Sequence, residues 1–171
     1  YHGTSLKKIL DTVNVPKGSF YNYFNSKEDY VAQIIRRYAE NLRIQIDAYL
    51  ETTAHDPLTT LKTIFSMAVD SLEDKGYAGC LTGNLAGEIG GSIPACRLEL
   101  KRSVDLWKTR LCGLIADAQD QGQIREDLEA GLMSDMLWDI WQGGLLRIRI
   151  DHNPDYLKKI MESFLNAMEA K

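Results

Sequence analysis

An all-α protein is the expectation for this chain, with a small N-terminal helical unit ahead of a larger helical bundle, and three observations carry it. Apolar residues recur at three- and four-residue spacing through most of the sequence, the pattern of helices with one buried face. The two-residue alternation of strands is nearly absent. Each periodic run is bounded by a cap residue, a proline or a glycine, as at Ser26, Pro57, Pro94 and Gly122. At 171 residues and 44% apolar content, the chain suffices for one or two packed domains.

Thr4 or Ser5 can cap a first short helix, LKKILDTV, in which Leu6, Ile9, Leu10 and Val13 share a face. Asn14 and Val15 make a turn, and Pro16 suits the start of a second helix over about Lys17 to Tyr23. Asn25 or Ser26 then caps a long helix, where Glu28 and Asp29 favour the positive end of the dipole. No Gly or Pro interrupts that helix before about Thr52. The His55-Asp56-Pro57 break starts another, to about Lys75, which Gly76 stops. The next stretch, GYAGCLTGNLAGEIGGSIP, is rich in glycine, so only a short helix of small residues is expected, about Gly79 to Ile89, before a Gly90-Gly91 turn. Pro94 opens a long helix to about Gln121, which Gly122 ends, and residues 128–150 and 154–169 supply two more.

Charge and cysteine usage narrow the function classes. The net charge of −4 excludes a protein that coats nucleic acid over its whole surface. The distribution is uneven: residues 1–50 hold seven Lys/Arg against five Asp/Glu, and the remainder is acidic. A basic end on an acidic body suits local contact with phosphate. Cys80, Cys96 and Cys112 are too few and too scattered for a disulfide framework and show no zinc-ligand spacing, so no metal or other cofactor is expected and a reducing cytoplasm is. No apolar run approaches the ~18 residues of a membrane span. The opening YHGTS reads as the exit of an earlier helix.

The segment NVPKGSFYNYFNSKE carries the functional argument. Two short helices joined by a three- or four-residue turn make a helix-turn-helix, whose second helix enters the major groove of DNA. Helical spacing puts Phe20 and Phe24 on one side with Tyr23, and that side is expected to pack against Leu6, Leu10 and Ile34. Lys17 and Tyr21 fall on another side, flanked by Ser19 and Asn22. Gly18 leaves no side chain between backbone and groove. Tyr21 can hydrogen-bond a phosphate, and Lys17 can reach a phosphate or a guanine edge. Thr4, Ser5 and Lys27 stand near helix N-termini, where anions are favoured.

TSLKKILDTVNVPKGSFYNYFNSKEDY, and above all its G-S-F-Y-x-Y-F-x-S-K-E core, resembles the DNA-binding signature of the TetR family of bacterial transcriptional regulators, almost continuously over residues 3–30. The resemblance implies a homodimer, usually a repressor, that binds double-stranded operator DNA and leaves it when its larger C-terminal bundle takes a small inducer. It also implies a helix preceding the matched segment. The domain expectation is therefore a DNA-binding domain over residues 1–30, a connecting helix over 27–52, and an effector-binding and dimerisation domain over 53–171.

In that second part, Leu132, Met136, Ile140 and Leu146 trace one apolar stripe, and Trp138, Trp141 and Leu145 a second. One stripe can pack inward while the other meets a second subunit, and Gly143-Gly144 permits close helix approach. GCLTGNLAGEI resembles the NemR-like subset, whose matching cysteine senses electrophiles or oxidants. Two readings of Cys80 stand side by side: a thiol activated at a helix N-terminus, or a small buried hydrophobe in a glycine-rich contact. Cys96 and Cys112 are expected in the core, and His55 and His152 in loops. Phe65, Met67, Trp107, Trp138 and Trp141 can line an apolar effector pocket or simply form core. Beside the DNA-binding regulator stand two other classes: an enzyme with Cys80 as nucleophile, which needs a base not visible nearby, and a helical interaction module with no DNA role.

Overall fold

The computed structural model describes residues 1–52, 56–74 and 76–170. Among the described residues there are eight helices and no strand: α1 Leu6–Thr12, α2 Lys17–Tyr21, α3 Lys27–Thr52, α4 Pro57–Asp70, α5 Leu81–Ile89, α6 Pro94–Asp120, α7 Ala130–Asp151 and α8 Asp155–Met168. The all-α expectation holds. Lys75, the expected end of the fourth helix, and His55 lie outside the described residues.

The chain divides into two compact units, one of Tyr1–Asn41 with Leu81–Val104, the other of Leu42–Cys80 with Asp105–Lys171. The first takes α1, α2, α5 and the opening parts of α3 and α6. Ser5, not Thr4, caps α1: its Oγ accepts the Lys8 N–H at 3.2 Å. The helix stops because Asn14 turns into the left-handed region at φ 53°, which lets the Val15 N–H return to the Leu10 carbonyl at 3.0 Å. Asn accepts that conformation more readily than a branched residue does.

Pro16 stands extended before α2 and presets its first turn. The helix ends at Tyr21, two residues short of the expected Tyr23. The cause is a tightened last turn, in which the Tyr23 N–H bonds the Phe20 carbonyl at 3.0 Å, followed directly by the cap of α3. In that cap Ser26 Oγ accepts the Asp29 N–H at 3.1 Å, and Asp29 Oδ2 accepts the Asn25 N–H at 2.9 Å. Tyr23 therefore swings off the packing side and stands 78% exposed. The core of this unit joins Val31, Ala32 and Ile35 of α3 to Ile89 of α5 and Cys96 and Leu100 of α6. Ile35 is the fully buried position, whereas Ile34, expected to pack there, is half-buried. Burying a side chain of that size contributes about 1.5–3 kcal/mol.

In the second unit, α4 starts at Pro57 behind Asp56, whose Oδ1 accepts the Thr59 N–H at 2.9 Å. It ends at Asp70, and residues 71–74 are turn. Gly122, at φ +67°, lets the Gln123 N–H reach the Ala118 carbonyl at 2.9 Å and closes α6. His152 does the same for α7 at φ 50°, with its N–H on the Ile148 carbonyl at 2.8 Å. α8 buries Leu157, Met161, Leu165 and Met168, one helical stripe, and packs on α7 and α4. The approach of α7 to α8 is close at Gly144, where a Cβ would lie 2.3 Å from Leu157 Cδ1. Gly143 faces open space.

Candidate nucleic-acid interface

α2 is a divided helix. Phe20 is 4% exposed, with its ring centroid 5.0 Å from that of Phe24 and 5.6 Å from that of Tyr30. Phe24 and Tyr30 meet edge-on at 4.9 Å, so three rings bind α2 to the start of α3. The other side is open. Lys17, Gly18, Tyr21 and Asn22 are exposed, and Ser19 is half-buried at the edge. Tyr21 is 50% exposed, and the Lys17 ammonium lies 5.9 Å from its ring centroid. A Cβ at Gly18 would meet nothing within 4 Å, so the backbone surface there is bare. α1, α2 and the start of α3 border a recess of about 550 Å³, whose lining includes Leu10, Lys17, Tyr21 and Lys27.

This geometry brings Lys17, Gly18, Tyr21 and Asn22 onto one outward face, the arrangement that permits phosphate and base-edge contact. Thr4 is half-buried and Ser5 exposed at the entry to α1. Lys27, half-buried, lines the same recess as Lys17 and Tyr21. Its ammonium donates to the Tyr1 carbonyl at 2.7 Å and the Thr4 carbonyl at 2.5 Å, and lies 4.0 Å from the Tyr1 ring centroid. Beside it, Tyr1 Oη donates to Glu28 Oε1 at 2.6 Å. Burial, followed by that hydrogen bond and the carboxylate charge, pushes the Tyr1 phenol up to about 12. The same bond leads the causes that hold Glu28 below its ordinary range.

One cluster in this unit gave no sequence signal beyond the i,i+3 spacing of Glu99 and Arg102. Glu99 is buried, yet accepts Arg36 Nε at 3.1 Å and Arg36 Nη2 at 2.8 Å, together with Arg102 Nη1 at 2.7 Å. The Arg36 hydrogen bonds, more than the charges of the two guanidiniums, hold its carboxyl below the usual range against the opposing effect of burial. It ties α3 to α6. Nearby, Thr82 and Ser103 pair their buried hydroxyls at 3.0 Å.

The candidate effector residues do not form one group. Phe65 meets Trp141 edge-on at 5.4 Å, and Trp107 meets Trp138 at 6.3 Å. Phe65 and Met67 border a recess of about 370 Å³ between α4 and α8, which none of the three tryptophans lines. Met67 is 56% exposed at its rim, not enclosed in core. On α7 the two apolar stripes separate in part: Trp138 and Leu145 are buried and Leu132, Met136 and Leu146 exposed, as is Ile150, while Ile140 of one stripe and Trp141 of the other are half-buried. Cys80 is buried and stands immediately before α5, which begins at Leu81, two residues after the expected Gly79. Cys96 is fully buried, and its Sγ donates toward the Glu28 carbonyl at 3.6 Å. Desolvation, then the Glu28 charge, raises that thiol, which suits a core residue. Cys112 is half-buried. His152, expected in a loop, caps α7 and meets the Tyr77 ring edge-on at 5.5 Å.

Comparison with known proteins decides the family. Residues 1–34 match the model of bacterial regulatory proteins of the tetR family, and residues 57–164 match the tetracyclin repressor-like C-terminal domain. The chain belongs to the TetR family. It is 32% identical over 168 residues to the HTH-type transcriptional repressor DhaR of Mycobacterium sp. strain GP1, covering 98% of this chain and 83% of that protein. To the transcriptional regulator AcuR of Cereibacter sphaeroides it is 30% identical, over 96% and 75% of the two chains. The crystal structure of a regulatory protein TetR from Rhodobacter sphaeroides superposes with a TM-score of 0.88 at 30% identity, covering 97% of this chain and 88% of the other. The reduced form of Escherichia coli NemR shares the fold at the same TM-score and 20% identity, over 99% and 88%. As a TetR-family member the protein is a DNA-binding transcriptional regulator. No helix among the described residues is long and apolar enough to cross a membrane.

Proposed function

We propose that this TetR-family chain is a homodimeric cytoplasmic repressor that holds operator DNA through the outward face of α2 and releases it when the second unit takes a small molecule or a thiol-reactive electrophile. The observation that carries this reading is the division of α2, with Phe20 sealed by two rings and Lys17, Gly18 and Tyr21 left open. In this reading Lys17 and Asn22 reach base edges or phosphate, Tyr21 holds a phosphate, Gly18 and Ser19 allow close approach, and Thr4 and Ser5 at the entry to α1 and Lys27 at the start of α3 contact the backbone. The exposed stripe of Leu132, Met136, Leu146 and Ile150 supports a second subunit on α7, and two reading helices need half-sites about 34–36 Å apart. Repression is the sign favoured by the relatives, since DhaR is named a repressor.

The reading assigns DNA contact to residues 1–30, connection to the helix over 27–52, and effector binding and dimerisation to 53–171. Cys80 is the thiol to test as a sensor, and Phe65, Met67, Trp107, Trp138 and Trp141 are the residues to test for an apolar inducer. The experiment is selection of bound fragments from the source genome, followed by titration of the recovered duplex. Affinity is expected to fall steeply with salt, and Tyr21→Ala to weaken binding at least tenfold to every fragment. Unchanged affinity in Tyr21→Ala refutes the face assigned to α2. Equal release of DNA by an electrophile from wild type and Cys80→Ser removes the sensor role.

A further inference from the structure

We infer that the second unit takes its effector at the seam between α6 and α7, and that Gln142 selects it: a compact, uncharged molecule with an apolar body and one carbonyl-type oxygen. The inference rests on the effector reading proposed above. Helical spacing places Asp135, Trp138 and Gln142 on one flank of α7. That flank meets α6, since the Trp138 ring centroid lies 6.3 Å from that of Trp107 and Asp135 pairs with Lys108. All five residues belong to the second unit.

Gln142 is the odd member. The residue is half-buried, yet its Nε2 is sealed from solvent and has no hydrogen-bond partner among the described residues. A buried donor left unpaired opposes folding, and such groups are rare. A helical side chain lies back over the preceding turn, which brings this amide toward Trp138, four residues earlier. Asp135 Oδ1 is buried as well, but the Lys108 ammonium lies against it. Trp107 supplies the second observation. It opens a row of α6 that runs on through Leu111 and Ile115, both buried, and yet it is half-buried itself. A large ring on an inward row that keeps accessible surface borders space, and an apolar body fits beside it.

Charge narrows the class. The Asp135 contact, then the charges of Asp135, Asp105 and Asp139, hold the Lys108 ammonium above its ordinary value against desolvation. Three carboxylates thus act on one cation, and an anionic ligand meets net repulsion. A cationic one brings donors, which Nε2 cannot accept. A neutral acceptor on Nε2, with its apolar part against Trp107 and Trp138, satisfies both conditions.

The test measures binding of cyclohexanone and acetophenone to the full chain by calorimetry. Beside them run the isosteric alkenes, methylenecyclohexane and α-methylstyrene, and the matching carboxylates, cyclohexanecarboxylate and benzoate. Each ketone is expected to bind about tenfold more tightly than its alkene, and the carboxylates not to bind. Gln142→Met should bring ketone affinity down to that of the alkene and leave alkene affinity unchanged. Ketones that bind no better than their alkenes overturn the inference, as does a ketone preference that survives Gln142→Met. A Gln142→Met chain that sediments as a monomer where wild type is a dimer also overturns it, because the donor then serves the subunit contact. Should the variant not fold, nitrogen-15 spectra of wild type decide. The Gln142 side-chain amide signal is expected to move when ketone is added and to stay when alkene is added; a signal unmoved by ketone overturns the assignment. Release of a duplex selected from genomic DNA separates the two readings. Gln142-dependent ketone binding without release refutes the effector reading while the site stands. Release by a compound that binds Gln142→Met as tightly as wild type overturns the site while the effector reading stands.

Discussion

Removing Arg36 should cost more than removing the carboxylate it holds. Glu99 has a side chain only 6% exposed, while Arg36 and Arg102 are 63% and 61% exposed. Arg36→Met leaves Glu99 buried with Arg102 alone, whereas Glu99→Gln leaves two guanidiniums in water. Breaking a buried pair by deleting one partner costs about 3–5 kcal/mol when the survivor is isolated. Arg102 still bonds Oε1 at 2.7 Å, so the loss on Arg36→Met at neutral pH falls short of that and is expected to exceed the Glu99→Gln cost. Glu99→Gln keeps the shape and one acceptor and should cost about 1 kcal/mol. For a chain of this length the Glu99→Gln figure corresponds to roughly 2–4 °C in melting temperature, and Arg36→Met should lower it further. The assay is calorimetric unfolding of both variants at one fixed protein concentration, because a dimer's melting point depends on concentration. The pH profile adds a second constraint. Glu99 titrates below its ordinary value of 4.5 in the folded protein, chiefly through the Arg36 hydrogen bonds, so the unfolded chain takes up its proton first as pH falls. The stabilisation is complete above the unfolded value and is lost as pH drops through the folded one. The gap between wild type and Glu99→Gln should thus be constant from pH 7 to about 5 and narrow progressively as pH falls below the unfolded value. A Glu99→Gln cost equal to or larger than that of Arg36→Met, or a gap that does not narrow as pH falls below the unfolded value, refutes the reasoning.

Two other outcomes follow from the second unit. Gly144→Ala puts a methyl 2.3 Å from Leu157 Cδ1, and because Leu157 is fully buried the end of its side chain has little room to retreat; a loss of about 1–3 kcal/mol is expected in thermal unfolding, against a gain of up to about 1 kcal/mol for Gly143→Ala, which is helical and open. Leu146→Glu with Ile150→Lys, on the exposed stripe of α7, should leave helical content intact while sedimentation shows the dimer converting to monomer and operator affinity falling by more than a hundredfold.

Element existence was legible because the punctuation is local. Asp56-Pro57, Ser26 with Asp29, and Gly122 each close a hydrogen bond within a few residues, and each appears where the cap chemistry puts it. The boundaries that slipped depend on distant atoms or on competition between adjacent caps. α2 is cut short because the Asn25–Asp29 cap needs extended chain just beyond it, and helical spacing alone therefore placed Tyr23 on the wrong side. The Arg36–Glu99–Arg102 cluster was invisible for a related reason: residues 36 and 99 lie far apart in sequence, and nothing in either neighbourhood announces the partner.

Lys17 and Lys27 show the same limit at the site itself. Both open a helix, both precede a small or acidic residue in a segment that resembles a DNA-binding signature, and helical position gives each the same claim on phosphate. What distinguishes them is closure in three dimensions. Residues 1–4 fold back over the start of α3 and present two carbonyls to one ammonium, while α2 projects Lys17 where no carbonyl is offered. A cation already bonded to carbonyls must release them to meet a polyanion, so in the proposed reading Lys17 needs less rearrangement than Lys27 to reach phosphate.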